Sequence, residues 1–76
     1  MEHLFKTNIP VNNRDTVYNV DFDHEQYVFT AGQGPGEFSK FALRREHDEW
    51  HEKESLPEEL KNQVVDVLEK YLMKQH

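Results

Sequence analysis

The stretch Ser55–Gln75, SLPEELKNQVVDVLEKYLMKQ, decides how the rest of the chain is read. Leu60, Val64, Val67, Leu68, Tyr71 and Leu72 recur at the spacing of a helix with one apolar face. At ~100° per residue these six fall within an arc of roughly 140°, and Val65 widens its edge. Ser55 followed by Glu58 has the form of a capping box, and Pro57 suits a first turn, where a missing N–H is harmless. Glu58 and Glu59 at the start, with Lys70 and Lys74 near the end, complement the helix dipole. A helix over 55–75 this one-sided needs an apolar counterpart upstream.

That counterpart lies in residues 16–50, where the period changes from 3.6 to two. Tyr18, Val20 and Phe22 alternate with Asn19, Asp21 and Asp23, as in a half-buried strand, and Tyr27 and Phe29 resume the pattern. Pairing Phe22 with Tyr27, Val20 with Phe29 and Tyr18 with Ala31 keeps every large side chain on one face; a slip by one residue reverses it. His24-Glu25 is a poor two-residue turn because neither residue favours φ > 0, so a four-residue loop is expected there. Gly32-Gln33-Gly34-Pro35-Gly36-Glu37 reads as the next loop. Phe41 and Leu43 then fall opposite Phe29 and Tyr27.

Residues 1–15 read as an irregular arm or an edge strand, since Pro10 cannot donate to a sheet ladder and is tolerated only at an edge. Arg44–Glu54 holds five acids, three bases and two histidines around Trp50; either the third strand runs on towards Trp50 or, the favoured reading, a turn near His47-Asp48-Glu49 leads Trp50 into a short fourth strand. The expected fold is α+β: an antiparallel three- to four-stranded β-meander with one C-terminal amphipathic helix packed on one face. Its core comprises Tyr18, Val20, Phe22, Tyr27, Phe29, Phe41, Leu43, Leu60, Val64, Val67, Leu68 and Tyr71.

Composition bounds the function. The 76 residues are expected to form a single small domain burying only ~60% of its unfolded surface. No cysteine is present, so disulfides, thiolate metal sites and thiol nucleophiles drop out together. Five Phe, three Tyr and one Trp supply large apolar areas in their place. The net charge of −6 argues against nucleic acid and anionic membrane surfaces, which call for excess Lys and Arg. No basic leader with an apolar run opens the chain, and no apolar stretch approaches the ~20 residues a bilayer requires. A soluble, cytoplasmic protein is the expectation.

Three patterns invite chemistry. His47-Asp48-Glu49-Trp50-His51 places two histidines four apart, and Glu69 follows at a distance suited to a third zinc ligand. Against this metal-binding or small-hydrolase reading stand Asp48 where a longer general base belongs, no room for a helix, and a Glu69 turned away from the apolar arc. A solvated charged turn is the simpler account, leaving His47 and His51 as weak metal candidates. The glycine loop could wrap an anion through its N–H groups, yet it leads into a strand, contains Pro35 and ends on Glu37. The clustered Asp21, Asp23 and Glu25 fall on the water-facing side or in the turn, where no burial raises a carboxyl pKa.

What remains is a partner surface. Phe38 has the parity of the outer sheet face, and Trp50 sits amid charge; large aromatics rimmed by charge are typical of protein interfaces. The plainer reading, favoured for Trp50, has Trp50 fold back to plug the seam between sheet and helix; for Phe38, covering the loop is an equal alternative. The sequence leads to a small intracellular protein–protein interaction or accessory module. It is not expected to be an enzyme, it needs no cofactor, and its partner is an unidentified protein contacted through Phe38, Trp50, Lys40 and Arg44. It is expected to be a monomer, with a homodimer through the sheet edge or the aromatic patch as the alternative. A nucleic-acid binder using Lys40, Arg44 and Arg45 is a further alternative, disfavoured by the net charge.

Overall fold

Alternation at period two builds five strands, and the apolar arc of the C-terminal segment closes one face of the sheet they form. In the computed structural model, which describes residues 2–11, 13–32 and 38–74, β1 (Glu2–Val11), β2 (Arg14–Asp23), β3 (Gln26–Ala31), β4 (Lys40–Glu46) and β5 (Glu49–Glu52) precede α1 (Glu58–Lys74). All neighbouring strands pair antiparallel in the order β1-β2-β3-β4-β5. The α+β meander with one covering helix is therefore the observed fold, with five strands rather than three or four. The added strand is β1.

The expected register holds throughout the centre of the sheet. Tyr18 faces Ala31, Val20 faces Phe29 and Phe22 faces Tyr27, while Phe29 and Tyr27 face Phe41 and Leu43. Stacking of Phe29 on Phe41 at 5.0 Å between centroids, with Tyr18 edge-on to both, locks this register through aromatic packing. Ile9, Tyr18, Val20, Phe29, Phe41, Leu43, Leu56, Leu60, Val64 and Leu68 form the buried core.

The β2–β3 connection is not the four-residue loop expected. Asp23 pairs with Gln26, so His24 and Glu25 alone make the turn, with φ of 50° and 63°. Two left-handed residues match the twist of the flanking strands, and that match outweighs the steric penalty at each. His47 and Asp48 repeat the arrangement between β4 and β5, with φ of 52° and 64°. Of the glycine loop expected over 32–37, Gly32 donates its N–H to the Val17 carbonyl at 2.9 Å, and residues 33–37 lie outside the described residues.

Two further local readings change. Pro10 sits in edge strand β1 opposite Asp15, and the register shifts between His3 and Phe5, so Leu4 is an extra residue that bends the edge. The helix starts at Glu58, and the Lys61 N–H donates to the Pro57 carbonyl at 2.9 Å, which makes Pro57 the cap in place of Ser55. Leu56 precedes a proline, which disfavours helical φ/ψ, and it is buried in the core, so the chain stays extended until Pro57.

Candidate functional site

Meander topology brings the β2–β3 and β4–β5 turns to the same end of the sheet. There Phe22, facing the helix side like Tyr18 and Val20, remains 37% exposed. Its ring lies 5.1 Å from Tyr27, and Tyr27 meets Trp50 edge-on at 5.7 Å. Arg45, directly across from Trp50 in the β4–β5 ladder, holds its guanidinium 5.6 Å from the Trp50 ring centroid, a cation–π geometry. Phe22, Glu25, Tyr27, Arg44, Arg45 and Glu46 line an open cavity of about 450 Å³ at this end.

Trp50 sits half-buried in the seam, its indole N–H donating to the Glu69 carboxylate at 3.4 Å, a long bond. Lys61 of α1 reaches the Glu52 carboxylate at 3.8 Å two residues along β5. Among the described residues, one Glu52 oxygen is buried with no hydrogen-bond partner. Burial raises the Tyr27 phenol above its ordinary pKa, the Arg45 charge pulls it part of the way back, and Tyr71 adds to the rise.

The four residues expected to contact a partner do not form one patch. Lys40 and Arg44 are exposed on the outer face, opposite Thr30 and His51, and Arg44 is paired with Glu46 at 2.8 Å. Trp50 lies on the inner side. Phe38 is not on the outer face at all: it stands before β4 with φ of 59°, half-buried against the core, and its carbonyl accepts the Tyr18 hydroxyl at 2.8 Å. Parity fails for Phe38 because the strand's alternation begins only at Lys40.

The histidine pattern also disperses. His47 occupies the β4–β5 turn beside Glu46, His51 projects from β5 beside Glu49, and Glu69 is engaged by Trp50. Among the described residues no three His, Asp or Glu side chains converge as a metal site. Of the residues assigned to the core from their alternation, Phe22 is exposed and Tyr27 beside it is only partly buried, which the periodicity did not reveal. The signal that could have found them is their place beside the turn, at the last pair of the hairpin.

The fold and this site together define a two-layer α+β chain, a five-stranded meander under one helix, carrying an open aromatic–arginine end. No family model matches the chain, and no curated protein and no solved structure matches it. Among the described residues no helix is long and apolar enough to cross a membrane.

Proposed function

We propose that this chain is a small protein-interaction module, not an enzyme, and that its contact surface is the turn end of the sheet. The observation that carries the reading is the Phe22–Tyr27–Trp50 cluster, which faces the helix side yet leaves Phe22 37% exposed above an open cavity. Large, rigid aromatics with an arginine on their rim are the side chains that concentrate binding energy at protein interfaces. Arg44 and Arg45 line the same concavity as Phe22 and Tyr27, and Trp50 adjoins it through its edge-on contact with Tyr27 and its cation–π contact with Arg45.

The expected contacts through Lys40 and Phe38 are not part of this surface, whereas Trp50 and Arg44 belong to it. The partner is a protein, and the chain acts as a monomer in meeting it. Affinity capture from native lysate tests the proposal by comparing the parent chain with Phe22→Ser and Val17→Ser. Val17 is 50% exposed on the outer face and serves as a matched control. A species retained by the parent and Val17→Ser but lost with folded Phe22→Ser supports the reading; equal retention by all three removes it.

A further inference from the structure

The aromatic end of the sheet is ringed by acid. Glu25 and Glu46 line the cavity with Arg44 and Arg45, Glu69 meets Trp50, and Asp23, Asp48 and Glu49 belong to the two turns and strand ends at the same end of the sheet. Each arginine is already engaged within the chain: Arg44 with Glu46 at 2.8 Å, Arg45 with Asp48 at 3.6 Å and over Trp50 at 5.6 Å. Those pairs take Glu46 and Asp48 with them, and the Asp23, Glu25, Glu49 and Glu69 that remain leave a negative field, with the same sign as the net charge of −6 on the whole chain. An aromatic face attracts a cation through its quadrupole, and a negative surround strengthens that attraction. Arg45 resting on Trp50 is an instance of this chemistry supplied from within the chain, and the partly exposed Phe22 ring leaves a second aromatic surface beside it.

Resting on the reading of this end as a docking surface, we propose that its partner segment is basic: a lysine- or arginine-bearing stretch of protein. Its cations lie over the exposed aromatic rings and against the Glu25 and Glu46 rim, and its aliphatic stems cover Phe22 and Tyr27. The competing occupant is an acidic segment held by Arg44 and Arg45. The two differ in the sign of the effect when Arg45 is neutralised. Loss of Arg45 vacates the Trp50 face and deepens the negative field, which tightens a basic ligand and weakens an acidic one.

The test titrates the full chain at about pH 8. Three peptides of one length alternate leucine with lysine, glutamine or glutamate. Binding is followed by emission of the single Trp and by the amide shifts of Phe22 and Tyr27. The expected result is a saturable response to the lysine peptide alone, weakening several-fold as salt rises from about 50 to about 300 mM. Glu25→Gln combined with Glu49→Gln weakens it further, and both Arg45→Gln and the exposed-site variant Arg44→Gln tighten it. Equal binding of the glutamine peptide, lost in Phe22→Ala, preserves the docking surface and overturns the basic partner. Preference for the glutamate peptide, weakened by Arg45→Gln, overturns it in the other direction. No response to any of the three overturns both the basic partner and the docking surface.

Discussion

His24, Glu25, His47 and Asp48 hold positive φ in two tight turns, although none of them is glycine. Left-handed backbone costs an L-residue roughly 1–2 kcal/mol, least for Asn and Asp, whose short side chains bond locally. Glu25→Gly is therefore expected to raise stability by about 0.5–1 kcal/mol after the added unfolded-state entropy is set against the relief, and Asp48→Gly by less. Urea midpoints at constant m-value measure both, and an unchanged or lower midpoint for Glu25→Gly contradicts the turn geometry. A second single-residue device is the Tyr18 hydroxyl, which donates to the Phe38 carbonyl and holds a left-handed aromatic in place. Tyr18→Phe is expected to cost about 1 kcal/mol. Burial also raises the Tyr18 phenol above its ordinary pKa of ~10. The folded chain then keeps a proton that the unfolded chain releases, so this contribution is fully present below about pH 10 and is lost as pH rises through the folded value. Stability followed from about pH 8 to pH 11 should fall less steeply for Tyr18→Phe than for the parent.

At the scale of elements, the helix boundary separates two accounts of the same residues. If Pro57 caps the helix through its carbonyl, Ser55→Ala changes stability by less than about 0.5 kcal/mol, whereas loss of a true capping serine costs about 1 kcal/mol. Leu56→Ala is expected to cost about 2–3 kcal/mol, since Leu56 belongs to the core and fixes where the helix begins. Thermal unfolding of the two variants decides between the caps. The same contrast explains what could be read from sequence. Strand pairing was legible because period two and a buried face permit only one register for Tyr18, Val20, Phe29 and Phe41. The turn at His24-Glu25 was not, because its conformation is imposed by strand twist against the preference of its own residues. Strand β1 was faint because Pro10 and the extra Leu4 interrupt the alternation, two features that an edge tolerates and a central strand does not.

For the whole molecule, the decisive relation is between one helix and a five-stranded sheet. The buried face of α1 centres on Leu60, Val64 and Leu68, and Tyr71 stacks on Phe5 at 4.7 Å over strand β1. Trp50 and Glu69 close the opposite seam, which leaves the Phe22–Tyr27 end beside the turns only partly covered. Sequence periodicity located Tyr18, Phe22, Tyr27, Phe29 and Phe41 on the correct face; how far the helix extends over that face is a matter of tertiary geometry and leaves no mark on the pattern. For the same reason Phe38, Lys40, Arg44 and Trp50 read as one group along the chain but separate across two faces and two ends of the sheet. The central claim is that the uncovered end, and not the outer face, meets a protein partner. Site-specific photo-crosslinking in the native host tests it most directly, with a benzoylphenylalanine at position 22 compared with one at position 17. A discrete protein adduct from position 22, absent from position 17, is the predicted result; adducts from position 17 alone, or none from position 22 in the folded chain, contradict it.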